Sequence, residues 1–330
     1  MPILLYNPFG NFDFNPDECF LTGEKISADE ERISVFPEWI INRYSLKDKT
    51  ISMLGQNVVK YQDLTLPCAA HVIKSAFDPL EEEIEKAFSS GYEAVREVPE
   101  VRLFQWMAKL VYGILYHDIL YGIKKQSAKG EKFTLSPMLT RKFEILHLML
   151  QSLMVPMEFK GIHPWSIKVV KIKISKDVFN YKDETNNLNF SLGMNDFGIV
   201  ACLQDNGENE KYHKELLTKI EDKTLHAIQF EELCSRFIYS NYLLTSAAQY
   251  EIKFTDEKVY LQSIPIEACN GKPLFNPWED KMYGQVLANY WKPWGLTMKD
   301  IITFPDSPIS YLINDYNNEF IDPDSITLPY

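Results

Sequence analysis

Hydrophobic positions recur at helical spacing through the first half of the chain and in short β-like runs through the second. The densest apolar run, V-R-L-F-Q-W-M-A-K-L-V-Y-G-I-L-Y-H-D-I-L-Y over 101–121, approaches the length of a membrane span. Arg102, Lys109, His117 and Asp118 interrupt it, and no basic loop flanks it. It therefore predicts a buried central helix. A second helix is predicted over 136–153, with Ser136 as its N-cap and Pro137 at its first position. Phe143, Leu146, Met149, Leu150 and Leu153 form its apolar stripe. Shorter helices are predicted over 37–44, around Trp39, Ile40 and Ile41, and over 79–88, where early acids suit the helix dipole. The charged E-E-E-I-E at 81–85 reads as a solvated face. Residues 50–66 predict a hairpin turning at Gly55-Gln56-Asn57. Residues 1–16 read as an extended lead that packs through Leu4, Leu5 and Phe9, and the Lys/Gly/Ser-rich 124–135 as a loop tip.

From Trp165 the texture changes. W-S-I-K-V-V-K-I-K-I, L-N-F-S-L-G-M and F-G-I-V-A-C-L are β-rich runs separated by Asn, Asp and Gly. Cys202 in the last of them reads as a small buried hydrophobe. A helix over 228–245, a hairpin turning at Thr255-Asp256-Glu257 and a final helix over 277–291 follow. The fold class is α+β, its C-terminal part an antiparallel sheet with packing helices on one side. The domain division is 1–98, 99–160 as a helical region, and 161–330, with the main break within 155–164.

Candidate chemistry concentrates early. Cys19 stands before a Thr22-Gly23 turn, and Cys68 and His71 form a C-x-x-H pair further on. Two short ligand pairs on either side of an insertion are how a small zinc site pins two loops. Here the first pair has one usual ligand, so the pattern is half complete. Residues 17–80 resemble the HNH endonucleases, in particular bacterial members with C-x-L-C-G, then E-H-V-F-P-x-W-L, then V-P-C-C-x-x-C-N. The matching residues are Cys19, Leu21, Gly23, Val35, Phe36, Pro37, Trp39, Pro67 and Cys68. The resemblance implies a ββα-metal module in 1–98, a remnant zinc site at Cys19, Cys68 and His71, and a nuclease ancestry. It also places Thr22 where the family has the second zinc cysteine, Ser34 at the catalytic histidine and Val72 at the asparagine. In that family the histidine is the general base for a water, and a divalent ion stabilises the phosphate. A serine hydroxyl is no base near neutral pH without an activating group, and Glu31 and Glu38 are its nearest titratable neighbours in sequence. The expectation is an HNH-like scaffold without its catalyst, serving as a binding or structural module. The alternatives are a metal-dependent nuclease with a rebuilt site, or an unrelated enzyme in the C-terminal half.

Charge bears on partners. Residues 1–100 carry a net −9 of the total −12, so the segment that would grip DNA is the most acidic part of the chain. Nucleic-acid affinity draws on Lys and Arg contacts, which disfavours such a partner while leaving a local basic patch open. Five scattered cysteines, an odd number, read as free thiols in a reducing compartment. No secretory pattern opens the chain, and the expected location is cytoplasmic, off the membrane. His117 and Asp118 are adjacent on a helix and point about 100° apart, so they share no ligand geometry; His117 and His147 read as core histidines. No phosphate loop, nucleophile elbow or H-E-x-x-H motif occurs. No cofactor is implied beyond the remnant zinc site. Trp278, Tyr283, Tyr290, Trp291 and Trp294 either line a binding groove or, at helical spacing, fill the core.

Overall fold

The computed structural model describes residues 3–12, 14–27, 32–53, 58–173, 178–266, 273–302, 307–314 and 316–328, and absences below concern those residues. The fold class is α+β. Two compact units are each assembled from separate runs of chain. The first comprises Met1–Ala87, Val98–Lys160 and Glu251–Gln262; the second comprises Phe88–Glu97, Gly161–Tyr250 and Ser263–Tyr330.

In the first unit β1 (Arg32–Ser34) leads to α1 (Glu38–Arg43), whose N-cap is Pro37. Strands β2 (Thr50–Ser52) and β3 (Val58–Lys60) form the expected antiparallel hairpin; its turn residues 55–57 lie outside the described residues. β4 (Thr65–Pro67) leaves that hairpin and pairs antiparallel with β1. Helix α2 (Ala70–Val72) then runs through a π-helical turn, Ile73–Phe77, into α3 (Asp78–Ser90). The helix thus begins well before residue 79, because Ala69 at the N-cap offers no side-chain cap for a sequence reading to detect. After the short α4 (Tyr92–Arg96), which belongs to the second unit, comes α5 (Glu100–Ser127).

Helix α5 is the spine of the first unit. From Leu103 to Tyr116 every residue is buried, Lys109 included. A helix buried all round needs partners for its cations. The Lys109 ammonium donates to Glu81 at 2.6 Å, the Trp106 indole donates to the other Glu81 oxygen at 3.2 Å, and Arg102 donates to Glu83 at 2.7 Å. Glu81 and Glu83 are therefore counter-charges of α5, while Glu82 and Glu85 stay exposed, as a solvated face requires. The helix also continues through Ser127, which shortens the predicted tip. Helix α6 (Pro137–Leu150) opens on a Ser136 cap as expected, and a 3-10 turn, Gln151–Leu153, extends it. At the N-terminus Leu4 is 90% exposed, whereas Phe9 and Phe14 are buried against each other; packing runs through the phenylalanines, not Leu4. No described helix is long and apolar enough to cross a membrane.

β5 (Met157–Lys160) closes this part of the chain. In the second unit β6 (Ser166–Lys173), β7 (Phe179–Glu184), β8 (Asn189–Met194) and β9 (Phe197–Cys202) are followed by α7 (Glu208–Tyr212), α8 (Lys214–Ile220), β10 (Thr224–His226) and α9 (Ala227–Leu243). The sheet order is β10-β6-β9-β8-β7, antiparallel except for the parallel β10–β6 edge. Phe230, Leu233, Cys234 and Phe237 of α9 cluster with Val170, Ile172, Val200 and Cys202 of the sheet. Gly198 makes room for this contact, since a Cβ there would meet the Phe230 ring at 2.4 Å. The other sheet face is also apolar and closed off, with Phe190, Leu192, Met194, Phe197 and Ile199 fully buried.

β11 (Gln249–Phe254) and β12 (Val259–Ile264) form the expected hairpin, but β12 pairs in parallel with β5. The hairpin thus builds a separate three-stranded sheet rather than extending the C-terminal one. Helix α10 (Asp280–Trp291) packs Tyr283, Leu287 and Trp291 with Ile228, Tyr239 and Leu243 of α9, and α11 (Met298–Ile301) follows.

Candidate functional site

The turn at 17–25 is built by its own backbone. Cys19 N–H donates to Glu24 O at 2.8 Å, Gly23 N–H to Cys19 O at 2.8 Å, and Ile26 N–H to Asp17 O at 2.9 Å. Gly23 takes φ +72°, and a Cβ there would lie 2.3 Å from the Tyr6 ring, so glycine is required twice over. The Phe20 N–H donates to Pro67 O at 2.8 Å, fastening the turn beside β4. The register of that strand sets Arg32 opposite Pro67, Ile33 opposite Leu66 and Ser34 opposite Thr65.

This brings Cys19 and Cys68 together. Both are fully buried free thiols, and their side chains share a hydrogen bond. That bond is the largest influence lowering the Cys19 pKa, aided by the backbone at Ala69 and Leu21 and opposed by burial, while the Thr22 hydroxyl is buried without a hydrogen-bond partner. The same bond, then burial, drives Cys68 up.

His71 does not join them. It lies exposed on α2, with Nδ1 3.3 Å from a Glu24 oxygen. Val72 is fully buried in the helix. Among the described residues no three Cys, His, Asp or Glu side chains gather into a metal-holding group. A structural zinc takes four such donors, and two thiols with an outward histidine do not fit it.

Ser34 is half-buried on β1. The titratable group held on its strand partner comes from α5: His117 Nε2 lies 2.8 Å from Thr65 O, and burial lowers its pKa despite that bond. Arg32 Nε donates to the Thr65 hydroxyl at 3.1 Å. Below the turn, the buried His147 lies with Nε2 2.7 Å from Phe20 O and Nδ1 3.3 Å from the Gln151 amide nitrogen. Nε2–H as donor and Nδ1 as acceptor satisfies both. Burial takes its pKa down to about 4, the Phe20 bond acting weakly the other way. The Phe20 ring stacks on Tyr112 at 5.7 Å, and Tyr112 meets His147 at 5.1 Å. The core reading of His147 agrees with these contacts, whereas His117 is satisfied by Thr65 but only half-buried.

In the second unit the proposed aromatic groove separates into unlike parts. Tyr283 and Trp291 are core residues, the Tyr283 hydroxyl 3.2 Å from Ser235 Oγ and the Trp291 indole donating to Ile228 O at 3.1 Å. Trp278 is half-buried against Tyr239, Tyr283 and Tyr212, and Trp294, also half-buried, packs on the same cluster beside His226. Tyr283 and Trp291 line no groove, because their polar atoms are already spent inside.

Sequence reasoning passed over the buried acids of this unit. Asp205 accepts from Ser166 Oγ at 2.6 Å, Asn209 N at 2.8 Å, Asn209 Nδ2 at 2.9 Å and Gly207 N at 3.2 Å. Burial still raises its pKa, and the bonds work against that rise. On α9, Glu231 receives Lys182 and Asn180. Glu232 accepts from Arg236 Nη2 at 2.8 Å, Ser310 Oγ at 2.7 Å, Tyr311 N at 2.7 Å and Leu312 N at 3.1 Å. The available signal was two adjacent acids inside the apolar stripe F-E-E-L-C of a helix. Nearby, Lys182, Glu184, Asn189, Ser191, Cys234 and Tyr290 line a cavity of about 10 Å³. It is the size of one water, and the Asn189 amide nitrogen beside it has no protein partner.

Comparison with family models, with curated proteins and with solved structures returns no match for the chain.

Proposed function

We propose that this chain is a non-catalytic relative of the HNH endonucleases, its N-terminal module kept as a binding or structural platform. The observation that carries the proposal is the turn around Cys19. Its backbone bonds, its glycine and its link to β4 are intact, while the positions that would do chemistry hold Thr22, Ser34 and Val72, and His71 turns to Glu24. A base and its partner act together in such a site; both are replaced, and the zinc clamp beside them lacks its second cysteine. The net −9 of residues 1–100 agrees with a partner other than bare nucleic acid.

One observation favours a second reading, a nuclease with a rebuilt base: His117 is held on Thr65, the strand partner of Ser34. Incubation of supercoiled plasmid with the purified protein and magnesium, manganese or zinc decides between them. No nicking above a metal-only control is expected. Nicking that disappears in His117→Ala would replace the first reading with the second. Elemental analysis of the dialysed protein is expected to find well under one zinc per chain.

A further inference from the structure

We propose that Cys19 and Cys68 are an oxidative modification site, a dithiol that closes to a disulfide under a peroxide and reopens under a thiol reductant.

The placement of the two residues follows from the backbone. The peptide group joining Cys19 to Phe20 donates to the peptide group joining Pro67 to Cys68, at 2.8 Å. Each cysteine Cα is therefore bonded directly to one of two hydrogen-bonded peptides. Such neighbours stand at cross-strand spacing, about 5 Å apart, inside the roughly 4.4–6.8 Å that a disulfide accepts. Each thiol is also the largest influence on the other's pKa, in keeping with that close approach. Chain on both sides is held: Gly23 N–H and Cys19 O close the turn, and β1 pairs with β4 up to Pro67. The other described cysteines, Cys202 and Cys234, lie buried in the second unit among its own core residues.

The chemistry balances with hydrogen peroxide as oxidant. One cysteine sulfur attacks a peroxide oxygen; the O–O bond breaks, a sulfenic acid forms, and the departing oxygen takes up a proton to leave as water. The second sulfur attacks the sulfenic sulfur. The S–S bond forms, the S–O bond breaks, and the hydroxyl leaves with the second thiol proton as another water. Two thiols lose two electrons and two protons, and one peroxide becomes two waters. Neither sulfur is exposed, so entry depends on brief opening of the turn at 17–25, whose residues Glu24 and Lys25 face solvent. The bond would clasp that turn to β4 through a covalent link. This holds whether or not the nuclease resemblance does.

The test treats the whole native protein with hydrogen peroxide, quenches, unfolds it in an alkylating agent and maps peptides without reduction. The expected product is a Cys19–Cys68 linked peptide, two hydrogens lighter than its parts and lost after dithiothreitol, with Cys202 and Cys234 alkylated. In Cys68→Ser the linked peptide should vanish and Cys19 should become trappable as a sulfenic acid by a dimedone probe. Because wild-type mapping needs no variant, a misfolded Cys68→Ser would not spare the proposal. Cys19 and Cys68 both recovered as alkylated thiols while exposed methionines are oxidised would overturn it. So would either cysteine linked chiefly to a third one.

Discussion

Glu232 and Cys19 are both closed off from water, and their surroundings differ. Around Glu232 one carboxylate accepts from Arg236, the Ser310 hydroxyl and the backbone N–H groups of Tyr311 and Leu312, so both oxygens are used. Around Cys19 two sulfurs share one hydrogen bond, with the Thr22 hydroxyl beside them and His71 turned to solvent. A buried charge survives only when every lone pair is answered. Weakly polar thiols tolerate incomplete answers, because their desolvation costs little. The first arrangement is structural by necessity. The second is held by its backbone bonds and by the Phe20–Tyr112–His147 stack beneath it.

That contrast breaks if Glu232 is dispensable. Glu232→Ala strands Arg236 and frees the 310–312 segment from α9, so a loss of about 3–5 kcal/mol is expected, the usual cost of removing one partner of a buried pair. Urea unfolding of the full chain measures it. A loss under ~1 kcal/mol would mean that the segment is held by Gln229, which donates to Tyr311 O at 2.7 Å and Ile321 O at 2.9 Å, and not by the charge.

The support beneath Cys19 has its own signature in acid. His147 titrates near 4 in the fold and near 6.5 when unfolded. Between those values the unfolded chain binds a proton that the folded chain excludes, so stability rises with pH across the window. The contribution is complete above about 6.5 and is lost as pH falls through 4, a span worth ~3 kcal/mol. His213 in the second unit, lowered to about 3 by burial and then by Arg236, acts with the same sign down to lower pH. His147→Gln should flatten the stability profile between pH 6.5 and 4, with His213 left as the remaining slope. An unchanged profile would mean that His147 is reached by water, and that Phe20 O is not its buried partner.

These particulars show what the sequence could convey. Helices with a cap or a long stripe were legible: Ser136 marks α6, and the dense run marks α5. β7 was not, since F-N-Y-K-D-E shows no apolar run, and its Asn180 and Lys182 go to Glu231 on α9. The hairpin of β11 and β12 was visible in its turn, yet its partner β5 lies about a hundred residues upstream, where local pattern carries no information. The pairing of Glu81 and Glu83 with α5 was hidden for the same reason. At the candidate site the juxtaposition of Cys19 and Cys68 was anticipated from ligand spacing, whereas the outward turn of His71 depends on Glu24 and could not be read from spacing.

The smallest expected effect bears most directly on whether Cys19 belongs to a lapsed site. Ser34→His restores the residue that the HNH resemblance places there, on a half-buried strand position opposite Thr65. A general base works only when water, metal and supporting groups are placed around it. Here Val72 is fully buried, so no amide stands where the resemblance needs one, and the thiols beside Thr22 offer two donors to a metal. The single variant should leave plasmid nicking at the metal-only background. Adding Thr22→Cys supplies a third sulfur beside Cys19 and should first appear as zinc retained after dialysis. Val72→Asn then introduces the amide, but puts a polar group into the helix core, at a cost of about 1–3 kcal/mol if it finds no partner. The triple variant is therefore expected to hold zinc, to melt earlier than the wild type, and to cleave weakly. Strong nicking by Ser34→His alone would mean that a metal and its shell had been present throughout, and the contrast between the fully bonded Glu232 and the partly bonded thiols would no longer separate structure from chemistry.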